Sequence, residues 1–197
     1  MIKGIDISHY QGDVNWHKLT GIEFVYLKAT EGEKNHDPMF KANWVGAQSV
    51  GLPVGAYHFF DPAQDAGIQA QHFCDALDSV TGKRLPPMFD IEKTGGVSQA
   101  LILVKVQKWL DLVEKHTGQR PLLYTYTSFA TQIRLSKAFS GYPLWIAQYK
   151  AKTVKLCGWP KWTFWQFTSS GKVPGIAGNV DLDYFAGTIG ELHALLA

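Results

Sequence analysis

The chain has 197 residues, 46% of them hydrophobic and 18% charged, a balance that fits one soluble globular domain with a sizeable core and excludes a disordered or fibrous polymer. With 19 basic and 17 acidic residues the formal net charge is +2, too small and too scattered to argue for nucleic-acid binding. Cys74 and Cys157 are the only cysteines, which excludes a dense disulfide framework, and no stretch has the length of a membrane helix or the pattern of an export signal.

Taken in order, residues 2–8 read as a first strand ending with Asp6 and Ser8 on one face, and Gln11-Gly12 turns the chain. Residues 22–30 suit a buried strand with Lys28 near its end. Asp37-Pro38 has the residue types of an N-cap and first helical position, and Phe40, Trp44 and Ala47 then recur at helical spacing until Gly51. The pattern repeats with a strand over 52–60, a helix start at Asp61-Pro62, and a stripe of Ala66, Ala70, Phe73, Leu77 and Val80. A fourth strand spans 85–92, and Ser98 to Gly118 frames a long helix. A fifth strand over 121–126 leads to a weaker helix between Phe129 and Phe139. Strands over 143–149, 162–168 and 179–185 follow without a convincing helix between them, and a short helix from Thr188 to Leu196 closes the chain. Eight strands with helices chiefly among the first five predict an α/β fold, a sheet that can close into a barrel.

The fourth strand carries the chemistry. It ends Phe89-Asp90-Ile91-Glu92, and strand alternation sends Asp90 and Glu92 to one face, Phe89 and Ile91 to the other. Two acids on one face raise each other's proton affinity, as a general acid requires. Hydrated acids at a strand end are the plainer reading of a bare pair, so the other strand ends decide. In a barrel the active site lies at the C-terminal strand ends, and there stand Asp6, Lys28, His58, Asp90, Glu92, Tyr124, Tyr126, Gln148, Gln166 and Asp181. Four acids among aromatic rings suit protonation of a leaving oxygen and stabilisation of positive charge at an anomeric carbon. The same carboxylates could hold magnesium or calcium. HExxH, GxGxxG, P-loop and GxSxG patterns are absent. His58 is equally a substrate contact or a core histidine.

Seven ordered motifs, Gly4-Ile5-Asp6-Ile7-Ser8 with Gln11-Gly12, Lys28-Ala29-Thr30-Glu31-Gly32, Gly55-Ala56-Tyr57-His58-Phe59, Phe89-Asp90-Ile91-Glu92, Leu144-Trp145-Ile146-Ala147-Gln148-Tyr149, Trp165-Gln166-Phe167 and Val180-Asp181-Leu182-Asp183, make the chain resemble the family 25 glycoside hydrolases. These are lysozymes, or N-acetylmuramidases, of bacteria, phages and some fungi. The resemblance implies an irregular TIM-like (β/α)5(β)3 barrel, with residues 1–197 as a single catalytic domain that needs no cofactor or metal. It implies peptidoglycan as the substrate, cut between N-acetylmuramic acid and N-acetylglucosamine. It carries the catalytic set onto Asp6, Asp90, Glu92 and Asp181, with Glu92 as proton donor, and cleft contacts onto Lys28, Tyr57, Tyr124, Trp145 and Gln166. Same-face strand neighbours lie about 6.5–7 Å apart, which leaves direct retaining and inverting routes open; a substrate-assisted retaining route, with Asp90 orienting the substrate's N-acetyl group, is favoured. An N-acetylglucosaminidase and a catalytically silent wall-binding module are the alternatives. A monomer is expected, without membrane insertion or nucleic-acid partner. The missing export signal fits a phage lysin released through a membrane pore, or a chain whose signal has been removed.

Overall fold

The computed structural model describes residues 1–197 and puts the first strand, β1 (Ile2–Ile7), at the closure of a ring. β1 pairs in parallel with β2 (Phe24–Glu31). A two-residue strand, β3 (Asn35–His36), folds back antiparallel onto the end of β2 and stays outside the ring. The ring continues through β4 (Val54–Phe59), β5 (Met88–Asp90), β6 (Leu122–Tyr126), β7 (Leu144–Ala147) and β8 (Phe164–Gly171), each parallel to its neighbour. The last strand, β9 (Val180–Phe185), runs antiparallel to both β8 and β1 and completes the barrel. The α/β barrel of eight strands read from the sequence therefore forms, with β3 as an addition.

Helices α1 (Phe40–Ser49), α2 (Ala66–Asp78) and α3 (Gln99–Thr117) cover the early strands. Short helices α4 (Thr127–Gln132), α5 (Ser136–Phe139) and α6 (Ile189–His193) follow. Ser98 caps α3 by accepting the Leu101 N–H, and Gly118 ends it in the left-handed conformation at φ 69°, as the sequence predicts. Two helix starts differ. Asp65, not Asp61, caps α2, accepting Gly67 and Ile68 N–H. Asp61 instead holds a turn through Ala63 N–H and pairs with Lys93 at 3.2 Å. Asp37 stands three residues before α1 and binds His9 through both its backbone and ring nitrogens, tying the segment after β1 to the helix start. The expected helix over 129–139 is two helices, because Arg134 at φ 52° breaks the hydrogen-bond ladder between them.

Two cores divide the inward and outward faces of the strands. The outer one packs β-strand residues such as Ile5, Val25, Phe89, Ile91 and Leu123 against Phe73, Val106 and Trp109 of the helices. The inner one plugs the barrel with Phe24, Tyr26, Met88, Tyr124, Trp145, Phe164 and Phe185. Trp145 stacks on Phe164 at 4.7 Å and meets Tyr26 edge-on at 4.8 Å, geometries that add to the burial of such large rings. Gly4 and Gly55 make room for this plug: a Cβ on either would run into the Phe24 or Tyr26 ring. The plug closes the lower barrel, so polar side chains can gather only above it.

Candidate active site

Above the aromatic plug opens a cleft of about 320 Å³ lined by all four predicted acids, Asp6, Asp90, Glu92 and Asp181, and by Lys28, Tyr57, Tyr124 and Gln166. A larger hollow, about 600 Å³, borders residues that precede β2 and β4, among them Ile22, Glu23 and Pro53. It holds Glu23 as its sole acid, so it offers no carboxyl pair. Of the two, the smaller cleft alone gathers several carboxyls.

Local structure explains the gathering. Met88 lies in the inner core and Phe89 and Ile91 in the outer one, so Asp90 points inward by alternation. Glu92 comes just past β5, where Ile91 N–H still bonds the Tyr124 carbonyl and the Tyr126 hydroxyl donates to the Glu92 carbonyl at 3.2 Å. Those two bonds keep the segment extended. Asp181 is the second residue of its strand, not a late one, and it reaches the cleft because β9 is antiparallel: its beginning lies where the other strands end. The β1–β9 register sets Asp6 directly opposite Asp181.

The acids sit in a dry place and hold protons accordingly. Asp6 and Asp90 are almost fully buried. Burial, then the neighbouring charges of Glu92 and Asp6, pushes Asp90 well above the usual carboxylate range. Burial and then Asp6 raise Glu92. The Asp90 and Glu92 carboxyls lie within hydrogen-bonding reach of each other, and Asp90 Oδ1 has no donor facing it. A bond between two carboxyls needs a proton on one, and the more deeply buried Asp90 is the partner that holds it more tightly. Asp181 is pushed up to about 8 by burial and then by Asp6, whereas burial raises Asp6 to about 6, a rise that Gln166 and Asp183 limit.

Gln166 is the hub of the remaining contacts. Its carbonyl oxygen accepts the Tyr124 hydroxyl at 3.0 Å and the Tyr149 hydroxyl at 2.6 Å, and its amide donates to Asp6 Oδ2 at 2.7 Å. Lys28 pairs with Glu31 at 2.6 Å and lies 5.1 Å from the Phe59 ring centroid, where its charge lowers the proton affinity of Asp90 and Glu92.

Not every expected residue faces the cleft. Trp145 is fully buried in the barrel plug, and its indole N–H goes to Asp183 at 3.1 Å; it is out of reach of a ligand. His58 points outward between Thr30 and Gln69, stacked on Trp109, with burial lowering its pKa to about 3. It is a satisfied core histidine. Gln148 holds the Lys155 N–H and does not line the cleft. Conversely, Tyr10, Phe59, Tyr149 and Ser169 line it without having been expected. Tyr149 was within reach of alternation, two inward positions beyond Trp145; Tyr10 and Ser169 carried no periodic signal. No three His, Cys, Asp or Glu side chains converge as a metal-ligand set.

The sequence profile of Glycosyl hydrolases family 25 matches residues 5–176. The chain belongs to this family. As a family 25 glycosidase it is 34% identical to Lysozyme M1 of Streptomyces globisporus, over 98% of this chain and 71% of that protein. It is 37% identical to the uncharacterized protein YegX of Escherichia coli K12, over 99% and 73%. The crystal structure of the bacterial lysozyme from Streptomyces coelicolor superposes with a TM-score of 0.88 at 33% identity, covering 98% of this chain and 96% of that one. The family 25 cleft in this chain thus combines the Asp90–Glu92 pair, two further carboxyls and a tyrosine-bound glutamine.

Proposed function

We propose that this protein is a muramidase that hydrolyses the β-1,4 bond between N-acetylmuramic acid and N-acetylglucosamine in peptidoglycan, with retention of configuration. The observation that carries the reading is the gathering of Asp90 and Glu92, with Asp6 and Asp181, in one cleft above the barrel plug, Asp90 buried and Glu92 half-buried. Glu92, the less buried partner, delivers the proton to the glycosidic oxygen as the C1–O bond breaks. Asp90, which passes its proton to Glu92 as substrate binds and so becomes a carboxylate, accepts the N–H of the substrate's N-acetyl group, and the acetyl oxygen closes onto C1 to form an oxazolinium ion. Water, losing a proton to Glu92, adds to C1 from the original face and reopens the ring.

Asp6 and Asp181 hold the electrostatic setting of that pair: the Asp6 charge raises Glu92, which favours the protonated acid. Tyr57, Tyr124 and Lys28 are the sugar-facing contacts. Gln166, whose carbonyl and one amide hydrogen are already engaged within the protein, positions Asp6 instead of reading the sugar. One copy of the chain holds the whole acid set, so a monomer suffices. The glycan strands of the bacterial wall are its partner, and no helix is long and apolar enough to cross a membrane.

Turbidity of purified cell walls tests the assignment. Wild type should clear them and Glu92→Gln should bind without clearing. Equal clearing by the variant would remove Glu92 from the role, and binding without clearing by wild type would favour a silent wall-binding module.

A further inference from the structure

Asp183 follows Asp181 on β9 with one residue between, faces inward and is completely buried, yet no step above uses it. One oxygen accepts the Trp145 indole N–H; the other, Oδ2, has no donor facing it. An ionised carboxylate half unsatisfied in such a place is costly. Opposite it stand Gly4 on β1 and Gln166 on β8, and the charged groups that bear on it are Asp6 from β1 and Asp181 from its own strand, both acidic.

Asp6 resolves the missing contact. The Asp183 and Asp6 carboxyls lie within hydrogen-bonding reach of each other, and a bond between them requires a proton on one. Gln166 decides which. Its carbonyl is committed to the Tyr124 and Tyr149 hydroxyls, so its amide donates to Asp6 Oδ2, which favours the charge on Asp6, whereas the completely buried Asp183 has only the indole as donor. Asp183 has one oxygen bound to the indole and a second that is satisfied by an O–H donated to the charged Asp6.

We propose that Asp183 is a positioning residue: a neutral carboxylic acid that donates its O–H to Asp6 and keeps Asp6 the ionised member of the cleft. Burial, and then Asp6, pushes Asp183 well above the ordinary carboxylate range, in agreement with that state. The consequence for catalysis rests on the muramidase reading, since the Asp6 charge is what raises the proton affinity of Glu92. Asp183 thus acts on the general acid through Asp6, without touching substrate.

The test compares two variants. Asp183→Asn keeps both bonds, its amide N–H for Asp6 and its carbonyl for the indole, whereas Asp183→Leu removes both. We expect Asp183→Leu to lose kcat by about tenfold or more, the worth of one hydrogen bond to a charged group, with KM nearly unchanged. Its basic pH limb should move to lower pH, because a less ionised Asp6 holds the Glu92 proton less well. Asp183→Asn should recover kcat and the wild-type limb. Infrared spectra of wild type minus Asp183→Asn at neutral pH, which need no activity and no leucine variant, should show one protonated-carboxyl carbonyl band beyond those the two proteins share from Asp90, Glu92 and Asp181. Absence of that band from wild type overturns the proposal, as does an asparagine variant as impaired as the leucine one. A band present in a protein that does not cleave peptidoglycan would leave the protonated Asp183 standing and remove the muramidase reading.

Discussion

Asp6 on β1 and Asp181 on β9 stand directly opposite each other across an antiparallel strand pair. Burial and this opposition push Asp181 up to about 8, from an ordinary value of 3.8. A carboxyl raised in the fold binds its proton more tightly there than in the unfolded chain, so its stabilising contribution is complete below the unfolded value and is lost as pH rises through the folded one. His58 runs the other way: lowered to about 3, it destabilises the fold as pH drops below 6.5. The two effects oppose each other in mildly acidic solution and separate above it. Between about pH 6.5 and 8, the denaturant midpoint of wild type should fall, and Asp181→Asn should fall less. Parallel declines in the two proteins would contradict the raised Asp181.

Glu92 is the sole acid assigned to deliver a proton, so its loss should be severe. Glu92→Gln keeps the shape and a hydrogen-bonding partner for Asp90 but cannot protonate the leaving oxygen. Its kcat on soluble glycan fragments should drop by about 10²–10⁴, with binding retained.

Gln166 separates positioning from sugar recognition. Gln166→Leu strips the acceptor from Tyr124 and Tyr149 and the donor from Asp6. Without that donor Asp6 titrates above its present value of about 6 and, less ionised, holds the Glu92 proton less well, so the basic limb of activity should move to lower pH, and kcat should fall by about 10–100-fold. A rise in KM with kcat and the limb unchanged would instead make Gln166 a sugar contact.

Trp145 belongs to the barrel plug. Trp145→Phe removes the N–H that satisfies Asp183 and part of a tightly packed ring cluster. Thermal or denaturant unfolding should show a loss of about 2–4 kcal/mol, while KM for glycan fragments stays near that of wild type.

Much of the site was legible because strand alternation and motif order are local properties. Asp90 with Glu92, Asp6 near the end of β1, and the inward Tyr124 could all be placed on one face before any coordinates. Three things could not. The direction of β9 is a choice of topology, invisible in the residues of Val180–Phe185, and it alone explains why an acid at the start of a strand joins acids at the ends of others. Depth is the second: alternation sends both Tyr124 and Trp145 inward, but only packing against Phe24, Tyr26 and Phe164 sinks Trp145 below the cleft floor. His58 is the third, where the residue type suggested chemistry and its outward parity, next to the inward Tyr57, delivered it to Gln69 and Trp109. Asp183 passed unnoticed beside Asp181, since its role depends on which proton donors surround it.

Proton NMR of a peptidoglycan digest, recorded before the freed sugar ends equilibrate, tests the central claim most directly. Retaining, substrate-assisted cleavage at the muramic acid predicts that the new reducing end is N-acetylmuramic acid and that its first-formed anomer is β. An α anomer formed first, or N-acetylglucosamine at the new reducing end, would contradict the account.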